Sequence, residues 1–497
     1  MSNIKIDLGR TIGRVDRQIF GGFVEHEGRS IYGGVVDKVS ALTDDDGIRL
    51  DVAEAIKGLG APVLRWPGGN FVSGYHWENG IGPKESRSPR FDLAWNAVES
   101  NQFGTDEYFA YCERLGTEPY ICFNMGTGTL EEALAWVEYC NGDRDTYYAK
   151  LRRQNGHPEP YGVTYWGLGN EMWGDWQVGH MTAAEYAAEA KRWALALRRA
   201  DPDIKLVACG KNGWSDWDRL VIDELIRYVD YHSIHMYSGS DDYWSSVFSP
   251  HQADRAIKAS AAMIARARYL QKVEHPVRVI YDEWNVWFAT RGDRRADVVV
   301  EERHTLTDAL AVATYLNVFV RNCVPLHMAN MAQFVNVLAP IVTNDDGLFL
   351  QAIYDPFRLA SEKTLTIALD VFVQGAGREF ADIPNDRVVN AVADLGPFSL
   401  LDVAATTDES REHLVLCVVN RSLDPEPARI ELAGGSVAAP VVAEQIDAPD
   451  VLAANSFDSP GVVKARPVQN PIDFAGDRID YVFPAHSITW IEISLAH

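Results

Sequence analysis

Two glutamates stand where apolar runs give way to polar residues: Glu171 closes VTYWGLGNE (163 to 171), and Glu283 lies in VRVIYDEWN (277 to 285). A carboxylate at the end of an apolar strand is costly unless the strand opens into a site that uses it. Two carboxylates facing one cavity can break a glycosidic bond. One protonates the leaving oxygen, while the other attacks the anomeric carbon or activates water. Their separation sets the outcome, about 5 to 5.5 Å for retention and about 6.5 to 9.5 Å for inversion, and sequence alone leaves this open. The plainer alternative is that each glutamate only pairs with a barrel arginine such as Arg65; the Asn-Glu and Asp-Glu-Trp contexts weigh against it.

Such a pair needs a scaffold that brings distant strands to one mouth. Eight β-like runs recur between residues 19 and 336: IFGGFVEH, VLRWPGG, PYICFNMG, VTYWGLGNE, IKLVACG, YHSIHMY, VRVIYDEWN and VPLHMANMAQFVN. Helical patterns lie between them. Thr129 with Glu132 and Thr182 with Glu185 form capping-box signatures, and Tyr186, Ala190, Trp193 and Leu197 fall at helical spacing as a core-facing stripe. Strands alternating with helices imply parallel pairing, and eight of them predict a (β/α)8 TIM barrel over residues 18–384. Past residue 385 the rhythm becomes SLLDVAATT, HLVLCVVNRS, ARIELAGG and SITWIEISL, short or alternating runs with turn residues between them. These predict a C-terminal antiparallel β-sandwich, jelly-roll-like, over 385–497, with an N-terminal strand in 1–17 joining it.

Composition removes several function classes. With 46 basic against 70 acidic residues the net charge is -24, which repels nucleic acid and anionic lipid but costs a neutral ligand nothing. No apolar run is long enough for a membrane span, and the start lacks an apolar signal core, which points to the cytoplasm. The six cysteines show no C-x-x-C pairing. EHE, SIH and EERH contain ligand types without metal-site spacing, WPGGN lacks the lysine of a phosphate loop, and no serine elbow is present. Neither a metal nor a cofactor is expected.

Barrel active sites form at the C-terminal ends of the strands, and here those ends are polar. Glu25 and His26 close the first run; Arg65 and Trp66 lead into Asn70; Asn124, Asn170, His235, Tyr237, Asn285 and Gln333 end others. Trp66, Trp77, Trp95, Trp173, Trp176, Trp284 and Trp287 lie in or near the following loops. Aromatic faces suit sugar C–H surfaces, and amides and carboxylates suit hydroxyls. The combination predicts a carbohydrate mouth.

GNE (169 to 171), DEWN (282 to 285), EH followed by GRSIYGG (25 to 34), RWPGGNF (65 to 71), SIHMY (233 to 237) and ANMAQFVNVLAPI (329 to 341) together resemble glycoside hydrolase family 51, chiefly α-L-arabinofuranosidases. The resemblance implies that Glu171 is the general acid/base and Glu283 the nucleophile of a retaining mechanism, with Asn170 on the sugar 2-hydroxyl. It implies that Glu25, Asn70 and Gln333 hold the remaining furanose hydroxyls, that Arg65 and Tyr237 orient Glu283, that His235 lines the same wall, and that Trp95 and Trp287 shape the pocket. A neutral carbohydrate substrate, no cofactor and a homo-hexamer are further implications. Galactofuranosidase, xylosidase and endo-β-glucanase readings stay open, as does a barrel that binds sugar without cleaving it. Family members commonly read GNEMDGPWQ around the acid/base; here Trp173 replaces Asp and Asp175 replaces Pro, on the loop that follows the proton donor and borders the leaving group.

Overall fold

The computed structural model describes residues 1–287, 300–379 and 392–496. All eight runs become strands of one closed parallel barrel: Gly21–Phe23, Val63–Trp66, Glu118–Cys122, Tyr165–Leu168, Lys205–Ala208, Tyr231–Ser238, Arg278–Val286 and Leu326–Ala332. Each pairs with its neighbour in sequence, and the eighth closes on the first through Asn330–Gly21 and Ala332–Phe23. The floor of the barrel is a separate apolar plug of Val63, Tyr120, Tyr165, Val207, Ile280 and Met328. Successive inward residues on a strand are two apart, so the face that gives the plug Val63 also points Arg65 into the upper barrel.

The helices follow their sequence signals. Ala183–Ala200 opens on the Thr182/Glu185 capping box and buries Tyr186, Ala190, Trp193 and Leu197; Leu130–Asn141 opens on Thr129, whose hydroxyl accepts the Glu132 N–H at 3.1 Å. Among the described residues no helix is long and apolar enough to cross a membrane.

The C-terminal domain is one eleven-stranded, mostly antiparallel sheet. It curls over on itself: Tyr481, near one end of the strand order, donates its hydroxyl at 3.0 Å to Gln445, near the other end. Ile4, Ile6, Leu414, Leu416, Ile430 and Ile479 belong to the core inside. Strand Ser2–Arg14 lies between Ile367–Gln374, antiparallel, and Glu426–Ala433, parallel. The 384/385 boundary expected from sequence falls outside the described residues, as does the first half of VVNAVADL, and the sheet already includes Ile367–Gln374.

One helix, Leu306–Arg321, is buried on every side from Leu306 to Val320. It packs between barrel and sheet, and its polar residues meet a buried ionic cluster there. Arg321 grips Asp402 with two 3.0 Å contacts, Asn317 Nδ2 donates to Asp402 at 2.8 Å, and Arg421 lies 2.7 Å from His251. Burial alone would raise the Asp402 pKa, but Arg321 and Arg421 hold it well below the ordinary carboxylate value. Burial, aided by Arg421, pushes His251 down to about 3. Removing one member of a buried ion cluster leaves its partners uncompensated, typically at about 3 to 5 kcal/mol. Asp402→Ala is therefore expected to lower the melting temperature by several degrees at neutral pH. Because the folded pKa is depressed, Asp402 stabilises above its unfolded pKa, and that contribution is lost as pH falls below it. Melting curves at stepped acidic pH should show the gap between wild type and variant narrowing.

Candidate active site

The site is assembled around Arg65, which the second barrel strand delivers inward and which is 1% exposed. Its Nη1 donates to Glu283 Oε1 and its Nη2 to Asn170 Oδ1, each at 2.6 Å, while Nε lies 3.7 Å from Asp282. The Phe23 ring backs the guanidinium, with the centroid 4.8 Å away. Burial would lower the Arg65 pKa, but Asp282 and Glu283 hold it well above its ordinary value, so the cation is permanent. Tyr237 donates to the other Glu283 oxygen at 2.8 Å. With a donor fixed on each oxygen, Glu283 has one orientation.

Asp282 and Glu283 are consecutive, so regular alternation would send them to opposite faces. The seventh strand is irregular at this point: Ile280 pairs with Ser233, but the next partners are Glu283 and His235, three residues on one strand against two on the other. Such a bulge turns both carboxylates toward the site. Asp282 accepts from Tyr120 at 2.9 Å and lies 2.8 Å from His235 Nε2. Burial is outweighed by His235 and Arg65, which keep the Asp282 pKa lowered.

His235 sits between the two glutamates, its Nδ1 3.1 Å from Glu171 Oε1 and 3.4 Å from Glu283 Oε2. Burial disfavours its charge, but Glu283 and Asp282 raise its pKa to about 10, so it is an imidazolium with both N–H groups engaged. Glu171 follows Gly169 (φ +79°) and itself adopts φ +45°, a conformation uncommon for a residue with a side chain. This tight turn is closed by the Gly174 N–H on the Glu171 carbonyl at 2.7 Å. Beside it, Arg65 occupies the Asn170 oxygen, and Asn170 Nδ2 is buried without a partner among the described residues.

A second wall comes from the first, second and eighth strands. Glu25 Oε1 accepts the Phe71 N–H at 2.8 Å and Trp95 Nε1 at 3.2 Å. The glycines of WPGGN make room for it: a Cβ on Gly69 would stand 2.4 Å from Glu25 Oε2. Burial, reinforced by the Glu283 charge, raises the Glu25 pKa to about 8. Gln333 accepts the Glu25 N–H at 2.9 Å and donates to Glu27 at 2.8 Å, so its amide is clamped by the first strand. The Asn70 side-chain oxygen is buried without a partner among the described residues, and Trp287 stands edge-on to Tyr237 with centroids 5.6 Å apart.

The predicted residues thus fall into two linked groups, Glu171, Glu283, Arg65, Asn170, His235 and Tyr237 on one side and Glu25, Trp95 and Gln333 on the other. Sequence reasoning placed Asp282 among the polar strand ends and Glu27 within EHE but gave neither a role, and it passed over Tyr120. The role of Asp282 was hidden by the bulge, and Tyr120 by its place within the strand rather than at its end. Among the described residues, the one set able to hold a metal is Glu171, His235 and Glu283, whose candidate ligand atoms all lie within 4.8 Å of one another. A charged His235 between carboxylates and an arginine on Glu283 do not suit a cation. What the set provides instead is two carboxylates with oxygens within 4.8 Å of each other, one immobilised by donors and one on a turn.

Two family models match the chain, the alpha-L-arabinofuranosidase 1 domain over residues 55–255 and the alpha-L-arabinofuranosidase C-terminal domain over 282–487. Alpha-L-arabinofuranosidase C of Emericella nidulans is 42% identical, the match covering 98% of this chain and 96% of that one. The intracellular exo-alpha-(1->5)-L-arabinofuranosidase 1 of Bacillus subtilis is 35% identical over 86% of each. Among solved structures, the thermostable GH51 alpha-L-arabinofuranosidase of Thermotoga petrophila superimposes with a TM-score of 0.89 at 38% identity, covering 99% of this chain and 100% of that one.

Proposed function

The chain belongs to glycoside hydrolase family 51, the α-L-arabinofuranosidases, and on that premise we propose that it is a retaining exo-glycosidase releasing terminal α-L-arabinofuranosyl residues from arabinose-containing oligo- or polysaccharides. The observation that carries this reading is the carboxylate pair: oxygens of Glu171 and Glu283 lie within 4.8 Å of each other, in keeping with the separation of about 5 to 5.5 Å used in double displacement rather than the about 6.5 to 9.5 Å of inversion. The test is a panel of 4-nitrophenyl glycosides. Release is expected from the α-L-arabinofuranoside well ahead of the β-D-galactofuranoside, β-D-xyloside and β-D-glucoside; a different leader would reassign the substrate.

In the first step, Glu171 protonates the glycosidic oxygen while Glu283 attacks the anomeric carbon, breaking the bond to the leaving group and forming a glycosyl ester. Arg65 and Tyr237 fix the attacking carboxylate, and the unpartnered Asn170 Nδ2 is the donor available to the 2-hydroxyl. The ester removes one negative charge from beside Glu171, which then takes a proton from water as that water cleaves the ester. Asp282 and Tyr120 act behind this pair by holding His235 and Arg65. Glu25, a neutral acid below about pH 8, offers a proton to a furanose hydroxyl, and Asn70 offers an acceptor.

The raised Glu25 pKa carries a sign for stability. The folded protein keeps a proton that the unfolded chain releases, so stability declines as pH rises from the ordinary value of 4.5 toward about 8. Melting temperatures across that window should fall, and Glu25→Gln should flatten the decline.

By kinship with the Bacillus subtilis enzyme the chain functions in the cytoplasm, and by the family resemblance it forms a homo-hexamer. Light scattering behind size exclusion tests the second point, with six times 55.4 kDa as the expected mass.

A further inference from the structure

The turn after Glu171 carries side chains that the mechanism above does not use. Trp173 donates its indole N–H to the Gly210 carbonyl at 3.0 Å, and Trp176 meets it edge-on, centroids 5.2 Å apart at 87°. Trp176 folds back over Gly174, where a Cβ would stand 2.7 Å from the ring, and is still 59% exposed. Gln177 pins this turn by donating to the Asn170 carbonyl at 2.8 Å and to Ser73 at 2.6 Å.

Lys211 packs over the Trp173 ring, its ammonium 4.6 Å from the centroid. Among the described residues no carboxylate pairs with that ammonium, in a chain whose net charge is -24. The backbone of Lys211 is fixed: its N–H donates to Asp218 at 2.7 Å, and its carbonyl accepts the N–H of His235 at 2.9 Å, the residue that touches Glu171. Asp175, exposed on the same turn, does not pair with it.

The proton of Glu171 goes to the leaving oxygen, so the turn that carries Glu171 borders the leaving group. That turn and Lys211 beside it present an exposed indole and an ammonium that no carboxylate among the described residues pairs with. We propose that Trp173, Trp176 and Lys211 form a leaving-group subsite that selects a carboxylate-bearing aglycone, the chemistry of a uronic acid residue. The tryptophans supply a surface for the ring, and Lys211 supplies the charge that the rest of this acidic molecule denies to an anion.

This inference rests on the arabinofuranosidase reading, and the experiment separates the two. The substrates are the α-L-arabinofuranosides of 3-hydroxybenzoate and 3-hydroxybenzamide, matched in shape and differing in charge. The ratio of kcat/KM, acid over amide, is measured for wild type and for Lys211→Met, so that differences in leaving ability cancel. A partly exposed charge pair is worth about two- to fivefold, and the wild-type ratio should exceed the variant's by that factor. Raising the salt concentration should shrink the wild-type ratio toward that of the variant, which provides a second readout in unmutated protein. Equal ratios in the two enzymes, or a wild-type ratio indifferent to salt, would overturn the subsite. Cleavage of neither compound would instead remove the furanosidase reading.

Discussion

Glu283→Ala is expected to abolish turnover of 4-nitrophenyl α-L-arabinofuranoside, with a loss on the order of 10^4- to 10^6-fold, the scale found when a covalent nucleophile is removed. The substitution removes the oxygens that Arg65 and Tyr237 hold at 2.6 and 2.8 Å, while Arg65 keeps Asn170 and Asp282 as partners, so the fold should survive. The space vacated lies on the face from which Glu283 attacks. Azide entering there should displace the leaving group once and give a glycosyl azide of inverted configuration. A product of retained configuration from this variant would mean that another residue is the nucleophile.

Glu171→Ala should behave differently, and the contrast separates the two roles. General acid–base assistance is worth about 10^2 to 10^4, and the loss should be largest for alcohol leaving groups that need a proton. With 4-nitrophenolate, which departs unaided, the first step should persist and the glycosyl ester should accumulate, seen as a burst of nitrophenol followed by a slow steady state. Azide needs no base to deliver it and should attack that ester, so the product keeps the substrate's configuration. Equal losses for activated and unactivated leaving groups would remove Glu171 from the acid role. His235, at 3.1 Å and charged, would then be the donor to examine.

Much of the barrel was legible because its strands are short apolar runs bounded by turn residues, and because the side chains closing them are expensive to place unless used. Glu171 and Glu283 stood out on that ground alone, with Arg65 as a candidate counter-charge. The rest depended on events a linear pattern does not carry. The bulge that turns Asp282 inward breaks the two-residue period by which a strand is read. Tyr120 lies inside its strand, where an aromatic is expected to pack, and only the closed barrel shows its hydroxyl on Asp282. The cluster around Asp402 joins residues 251, 317, 321, 402 and 421, each an ordinary polar residue in sequence. Leu306–Arg321 is apolar nearly all round because both the barrel and the sheet cover it, so it lacks the one-sided stripe by which an amphipathic helix is recognised. Gln333, which the resemblance places on a furanose hydroxyl, is held at both ends by the first strand, a contact between residues 308 positions apart.

The central claim is double displacement at an arabinofuranosyl centre, and the most direct test is methanolysis followed by NMR. Wild-type enzyme with 4-nitrophenyl α-L-arabinofuranoside in aqueous methanol should yield methyl α-L-arabinofuranoside, because methanol intercepts a glycosyl ester on the face that the leaving group left. Methyl β-L-arabinofuranoside would show a single displacement, and Glu171 and Glu283 could not then have the roles assigned to them.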